Sequence, residues 1–325
     1  MKELSVKEEL ISGNLKDGSV KVLLSLNDNL KIESVLMVYN RFAKTPHFSA
    51  GDEGKAVESL PEKTLGFQPR EAYRDWITAC VSVMVGCPLG CKFCATGKMG
   101  FQRNLTSREI VDQVAFWNNY LSPMKKRVSR LVFMGMGEPF LNWDETQKAI
   151  AEISIPGRFN IGYQQMTIST VGIIPEMYKF ADLKSKINLA ISLHSPFQEK
   201  REQIIPIAKK YPITELMRFC GHYVKLNNRK IFFEYALIDK FNDTFEDIFA
   251  LKKLFGSSLF HLNVIVLNPT GGKYKGSGMG RRETFVRALE KYKIPFTIRR
   301  SLGKEINAAC GQLATQTALS SRPEE

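Results

Sequence analysis

Three cysteines fall within eight positions of this chain, in the stretch GCPLGCKFCATG (residues 86–97). They are Cys87, Cys91 and Cys94, spaced C-x3-C-x2-C. A structural zinc takes four ligands and a disulfide takes two, so a triplet suits neither on its own. Three thiolates on one loop suit a [4Fe–4S] cluster, with the fourth iron left to a non-protein ligand. A zinc borrowing a distant fourth ligand, or a chance group of core cysteines, stays open at this level.

Neighbouring residues bear on the same chemistry. Gly86, Pro88 and Gly90 let the loop turn tightly, and Phe93 stands between the last two cysteines. MGMGEPF (residues 134–140) joins glycines to a carboxylate, Glu138, at the end of an apolar run. Three further cysteines stand apart: Cys80, Cys220 and Cys310. Cys80 alone reads as a buried strand cysteine and Cys310 as a free thiol near the C-terminus. Cys220, within the helical run ELMRFC, reads as a small buried apolar side chain.

The elements that must position these groups follow from hydrophobic patterning. SVKVLLSL and LKIESVLMV flank Asn27-Asp28-Asn29, which predicts a β-hairpin over residues 19–37. Residues 39–75 are polar, hold Gly and Pro and lack periodicity, so a loop or insertion is expected there. ITACVSVMV is an apolar, β-rich run leading into the cysteine triplet. Thr106 and Glu109 form a capping-box pattern, and Ile110, Val114, Trp117 and Leu121 mark one face of the helix behind it. Strands are expected at SRLVFMGMG, QMTIST, INLAISLH, KIFFEYAL, HLNVIVLN and PFTIRR. Between them fall helical runs such as WDETQKAIAEI, IIPEMYKFA, ITELMRFCGHYV, TFEDIFALKKLF and RETFVRALEKY. This alternation predicts an α/β fold of parallel βαβ units, a doubly wound sheet or a full or partial TIM-type barrel. In such folds ligands gather at the carboxyl ends of the strands, where the triplet falls.

Composition sets the outer bounds. With 325 residues, 44% hydrophobic and 24% charged, the chain has ample apolar area for a core. No apolar run approaches the roughly 20 residues of a membrane span. MKELSVKEELISG carries acids and no apolar segment, unlike a secretory signal. A cytoplasmic location with no membrane partner is expected, and there clustered cysteines more often bind metal or do redox chemistry than form structural disulfides. The net charge of +13 favours a polyanionic partner, nucleic acid first, although a merely basic surface is also compatible with it.

C-x3-C-x2-C after a first barrel strand is the signature of radical S-adenosylmethionine (SAM) enzymes. The resemblance extends further. VGCPLGCKFCATGKMGFQRNLTSREIVDQV, FMGMGEPFLN, TISTVGIIP, LAISLHSPFQEKREQIIPI, LNPT and INAACGQLA follow one another in this order. Together they resemble the RlmN/Cfr family of RNA adenine methyltransferases, over residues 14–36 and nearly all of 77–314. The resemblance implies a partial (β/α) TIM-type barrel over residues 76–300, with an N-terminal β-hairpin extension over 1–38, an insertion over 39–75 and a C-terminal segment over 301–325. It implies one [4Fe–4S] cluster on Cys87, Cys91 and Cys94, and SAM as the second cofactor. Gly137, Glu138, Ser169, Ser192, Leu193, His194 and Asn268 align with cofactor-binding positions. The implied partners are RNA (23S rRNA, tRNA or both) and an electron donor such as flavodoxin or ferredoxin, and a monomer is expected.

The resemblance also implies roles for the remaining thiols. C2 and C8 of adenine are not nucleophilic, so a direct methyl transfer from a sulfonium fails. Cys310 aligns with a cysteine that is first methylated on sulfur. A radical takes a hydrogen from that methyl group, and the resulting methylene radical adds to adenine and joins enzyme to RNA. Cys80 aligns with the cysteine that attacks Cys310, forms a transient disulfide and releases the methylated base. Glu33 aligns with a proposed proton acceptor, where a solvent-facing strand carboxylate is the plainer expectation. Family members usually carry an N-terminal helical domain, expected to be absent because the chain begins almost at the hairpin. CKFCATG, STVGIIP and SLHSP resemble the C8 branch, whereas the intact Glu138-Pro139 resembles the C2 branch, which is the expectation here. Two other readings remain: the same methyl-cysteine chemistry on another substrate, and a non-catalytic, metal-stapled RNA-binding protein.

Overall fold

The computed structural model describes residues 3–39, 76–256, 259–299 and 302–315. Among the described residues twelve strands and eight α-helices follow one another. In chain order the first elements are β1 (Val6–Asn14), β2 (Ser19–Leu26), β3 (Lys31–Tyr39), β4 (Trp76–Cys80), β5 (Met84–Gly86), α1 (Ala95–Met99), β6 (Phe101–Asn104) and α2 (Ser107–Leu121). Then come β7 (Arg130–Phe133), α3 (Trp143–Ser154), β8 (Met166–Thr170), α4 (Ile174–Asp182), β9 (Asn188–Ser192), α5 (Gln198–Ile204) and α6 (Ile213–Asn227). The last are β10 (Ile231–Leu237), α7 (Phe245–Phe255), β11 (Phe260–Val266), α8 (Met279–Lys291) and β12 (Phe296–Ile298).

Ten strands form one sheet in the order β1-β2-β3-β4-β7-β8-β9-β10-β11-β12. From β4 to β12 all neighbours are parallel. β12 and β4 are not paired in this sheet, so the barrel is partial. Parallel strands carry helices on their outer face and bury both surfaces, which is why β10 reads IFFEYAL with hardly a polar residue. Outside, α2 packs on α3, α4 on α6 and α7 on α8.

The expected hairpin is β2–β3, but it belongs to a three-stranded antiparallel extension. β1 (VKEELISGN) is an edge strand with mostly exposed side chains, and its charges hid it from a hydrophobic reading. β3 pairs antiparallel with β4, so the extension continues the barrel sheet without a break. The run ITACVSVMV, expected as one strand, divides: β4 ends at Cys80, and β5 leaves to pair with β6 in a small separate sheet. The insertion expected over 39–75 lies, after Tyr39, outside the described residues.

Local signals account for the seating of α2. Thr106 and Glu109 form the capping box, worth about 1 kcal/mol, and Ile110, Val114, Trp117 and Leu121 are all buried. Glu109 also pairs with Arg103 of β6 at 2.8 Å, and Arg103 reaches Asp28 in the β2–β3 turn at 2.6 Å. Trp117 Nε1 donates to Ser34 Oγ at 2.9 Å, and Ser34 Oγ donates to the Cys80 carbonyl at 2.9 Å. The helix thus fixes β3 against the end of β4.

Candidate active site

The cysteine loop is tied down on several sides. Cys87 N donates to Gly100 O at 2.8 Å, Cys94 N to Cys91 O at 3.1 Å, and Lys92 N to Ile204 O at 2.9 Å. Gly86 sits at φ +76°, and a Cβ there would lie 2.0 Å from Gly100 O, so only glycine lets the loop's two ends meet. Burial pushes the Cys87 thiol up to about 12. Burial and the two neighbouring thiols push Cys91 well above the usual thiol range. Thiols in such surroundings become thiolates when a bound cation supplies the opposing charge. Among the described residues no three His, Cys, Asp or Glu side chains converge on the point a single metal ion would occupy. A cluster asks for less convergence, because each thiolate binds a different iron.

Beside this loop, at the carboxyl ends of the barrel strands, lies a cavity of about 810 Å³, open solvent at its mouth included. Its wall brings together Gly137, Glu138, Ser169, Ser192, His194 and Asn268, six of the residues expected from sequence. Leu193 is not on that wall; its side chain is fully buried in the core. Gly137 adopts φ +99°, and a Cβ there would lie 2.6 Å from the Met84 side chain. That turn aims Glu138 inward, where its carboxylate accepts from Val171 N at 2.9 Å and Phe140 N at 3.2 Å. Burial nevertheless raises Glu138 to about 7, so its charge is readily tuned by a ligand.

His194 (φ +54°) follows β9. Its Nδ1 accepts from Ala236 N at 2.9 Å, and its ring meets Phe93 edge-on at 4.7 Å. Burial, aided by the nearby Arg201 charge, lowers it to about 3. The ring is therefore neutral, with Nδ1 as acceptor and Nε2 carrying the hydrogen. Asn268 donates through Nδ2 to Cys310 O at 3.1 Å, whereas its Oδ1 is buried without a hydrogen-bond partner. An acceptor left open in a polar cavity suits a ligand that brings a donor.

A second cavity adjoins the first, and Cys94, Met134, Gly135, Arg299 and Cys310 belong to both. Its wall also holds Cys80, Tyr39 and Thr96. The two thiols expected to act in succession thus face one chamber, close enough for Cys310 to raise Cys80, which burial lifts to about 12. Cys310 is reached by solvent yet surrounded by protein, and burial raises its thiol while Arg299 opposes the shift. All six cysteines are free thiols, so no disulfide joins Cys80 to Cys310 in this structure. Cys220 is fully buried in α6, apart from the chemistry.

Glu33 is elsewhere. It is 2% exposed, and neither of these cavities includes it. Its Oε1 pairs with Lys21 Nζ at 2.8 Å and its Oε2 accepts from Ala314 N at 2.8 Å. A solvent-facing carboxylate is excluded; this one anchors the segment that carries Cys310.

Sequence reasoning missed four residues. Arg201, 1% exposed, donates to Val171 O and Ser192 O and so holds the ends of β8 and β9; set among the polar residues of QEKREQ, it carried no signal of burial. Glu234 pairs with Arg299 at 3.1 Å and accepts from Asn263 at 2.9 Å. A lone carboxylate in the apolar run KIFFEYAL was the signal that could have found it. Arg299, in a basic doublet, and Tyr39, at a strand end, carried none.

Comparison with known proteins places the chain in a family. The Radical SAM superfamily model matches residues 81–251. A probable dual-specificity RNA methyltransferase RlmN from Clostridioides difficile is 44% identical over 242 residues, covering 74% of this chain and 70% of that protein. Its namesake from Chloroflexus aurantiacus is 42% identical over 279 residues, covering 81% of this chain and 74% of that one. The chain belongs to the RlmN family of radical SAM methyltransferases. Among solved structures, a radical SAM methyltransferase from Sphaerobacter thermophilus superposes with a TM-score of 0.82 at 32% identity, covering 95% of this chain and 81% of that one.

Membership in the RlmN family makes the cofactors a [4Fe–4S] cluster and SAM. The residues present fit them. Cys87, Cys91 and Cys94 are the three thiols that could hold the cluster, and the adjoining cavity offers Glu138 and the open Asn268 Oδ1 to a ligand that carries an amino group and hydroxyls. No helix among the described residues is long and apolar enough to cross a membrane.

Proposed function

We propose that this enzyme methylates an RNA adenosine at C2, in 23S rRNA, tRNA or both, using Cys310 as methyl carrier and Cys80 as the thiol that releases product. The observation that carries the reading is the shared chamber: Cys80 and Cys310 face one cavity, which opens through Cys94 and Cys310 onto the cavity beside the cluster loop. A merely structural pair of cysteines has no reason to meet there. The curated relatives are named as RNA methyltransferases, and the net charge of +13 suits an RNA partner. Glu138-Pro139 supports C2 over C8.

When bound, the cluster and SAM supply the methyl group and the hydrogen-abstracting radical. The chain's residues do the rest. Cys310 Sγ takes the methyl group, and Asn268 Nδ2 on the Cys310 carbonyl fixes the loop that presents it. After one hydrogen is removed from the S-methyl carbon, that carbon bonds to C2 of the base, and the ring radical so formed gives one electron back to the redox system that supplied it and loses the C2 proton. Cys80 Sγ, as the thiolate, then attacks Cys310 Sγ; the S–S bond forms as the S–C bond breaks, and the released carbon takes up a proton to become the methyl group of the departing base. Neutral His194 lines the cofactor cavity as a hydrogen donor that adds no charge. Glu33, as proton acceptor, would first have to give up Ala314 N, so in the arrangement described it serves as an anchor. The electron comes from a donor of the flavodoxin or ferredoxin kind.

The test is mass spectrometry of the tryptic peptide EINAACGQLATQTALSSRPEE from protein loaded with cluster and SAM under anaerobic conditions. A methyl group on Cys310 is expected, and Cys80→Ala should accumulate a covalent protein–RNA adduct. An unmethylated Cys310 in loaded protein would remove the two-cysteine reading.

A further inference from the structure

Arg299 is the residue the chemistry above leaves unused. It follows β12 at the carboxyl end of the barrel, its backbone N–H donating to Val264 O at 2.8 Å. It is the one cationic side chain on the walls of the two adjoining cavities among the described residues. It stands at their junction, together with Cys310 and Met134. Its Nη1 donates to Glu234 Oε2 at 3.1 Å, and Glu234 Oε1 is held in turn by Asn263 Nδ2 at 2.9 Å. The Glu234 carbonyl accepts from Leu193 N and His194 N, which fixes the strand position from which the carboxylate projects. The Tyr39 hydroxyl is near the guanidinium, and both residues line the chamber.

Two physical points follow. A guanidinium has five N–H donors in a rigid fork, and its partners among the described residues, one Glu234 oxygen, the Met134 sulfur at 3.9 Å and the Tyr39 hydroxyl, do not exhaust them. The charge of Arg299 is already matched by Glu234, so the pair is neutral as a unit. A neutral pair with donors to spare suits a neutral acceptor better than a second anion, which Glu234 would repel. That disfavours a phosphate or the cofactor's carboxylate and favours a ring nitrogen of a nucleobase. Bases taken out of an RNA strand are commonly met in this way, stacked on aromatic or guanidinium planes and hydrogen-bonded at their edges.

We propose that Arg299, steadied by Glu234, reads the substrate base by donating to a ring nitrogen of the adenine held between Cys80 and Cys310, with Tyr39 closing the same side of the chamber. The proposal rests on the RNA-adenosine reading above. For attack at C2 the acceptor is N1 or N3, which flank that carbon. Arg299 is then a specificity-determining residue as well as a positioning one: adenine offers bare acceptors at N1 and N3, whereas guanine carries a hydrogen at N1 and an amino group on C2.

The experiment uses the full chain loaded with cluster and SAM. Its substrates are unmodified tRNA and 23S rRNA transcripts made with adenosine or with 1-deaza-, 3-deaza- or 7-deazaadenosine. Three quantities are read: Cys310 methylation without RNA, methylated base formed, and kcat/KM. Wild-type enzyme should lose about ten- to hundredfold in kcat/KM with either the 1-deaza or the 3-deaza RNA, the effect of one hydrogen bond to a charged donor. Arg299→Lys keeps the charge facing Glu234 but lacks the fork. It should show a loss of similar size on ordinary RNA, no added loss on the sensitive deaza RNA, and a methylated Cys310. Arg299→Gln should behave alike if it folds; the wild-type deaza series stands whether it folds or not. Equal turnover of all four RNAs by wild type overturns the proposal. So does loss of Cys310 methylation in Arg299→Lys, which would put the guanidinium on the cofactor. If wild type methylates Cys310 but no RNA, the substrate reading itself falls and takes this inference with it.

Discussion

Glu33 and Ala314 are hydrogen-bonded at 2.8 Å across 281 positions of sequence, side-chain carboxylate to backbone amide. The bond joins the N-terminal extension to the segment that carries Cys310. Lys21 completes the clasp: its Nζ lies 2.8 Å from Glu33 Oε1 and 3.4 Å from Asn307 O. A reactive thiol on a chain end is placed only as well as that end is held, and here a buried ion pair holds it.

Breaking such a pair on one side leaves a buried charge without compensation. Lys21→Met and Glu33→Gln should each cost about 3–5 kcal/mol, whereas Lys21→Met with Glu33→Met should recover much of the loss. Urea unfolding gives the energies, and hydrogen exchange should show the amides of residues 302–315 opening faster in the single variants. Single variants within about 0.5 kcal/mol of wild type would sink the clasp.

Stability should depend on pH through Glu138. Its folded-state pKa of about 7 lies above the ordinary 4.5, so the native state binds the proton more tightly. The stabilisation is complete below about 4.5 and is lost as pH rises through about 7, amounting to about 3 kcal/mol. Glu138→Gln should flatten that part of the curve, read by thermal unfolding of cofactor-free protein from pH 5 to 8. An unchanged slope in the variant would assign the dependence to other groups.

Gly137 should tolerate no side chain. At φ +99° an alanine is strained in any surroundings, and its Cβ would meet Met84 at 2.6 Å. Gly137→Ala should lower stability by about 1–3 kcal/mol. It should weaken SAM binding by more than tenfold, because the turn that aims Glu138 is displaced. Calorimetry with SAM on cluster-loaded protein decides this; wild-type affinity would show that the turn absorbs the methyl group.

The cysteines should separate by role. Cys220→Ala, in the core of α6, should cost about 1 kcal/mol and leave Cys310 methylation and RNA turnover intact. Cys80→Ala should retain the Cys310 methyl group yet stop multiple turnover, read by single-turnover kinetics. Continued turnover without Cys80 would remove its role as the releasing thiol.

The sequence by itself determined the fold class and the place of the cysteine triplet after the first barrel strand, because these are local matters. Alternation of apolar runs specifies βαβ units, a capping box specifies the start of α2, and Cys87, Cys91 and Cys94 lie close enough for one loop to gather them. The positions from Gly137 to Asn268 were named through the family resemblance, and six of them meet in one cavity because strand ends converge in such a barrel. β1 escaped because an edge strand buries too little to show an apolar alternation. What only the tertiary structure decided were the pairings between distant segments: Glu33 with Ala314, Glu234 with Arg299, and Cys80 with Cys310. Each depends on desolvation and charge at a meeting point of chain segments far apart in sequence. A carboxylate at position 33 reads the same whether it faces water or holds a chain end; burial between β2, β3 and the C-terminal segment made it an anchor.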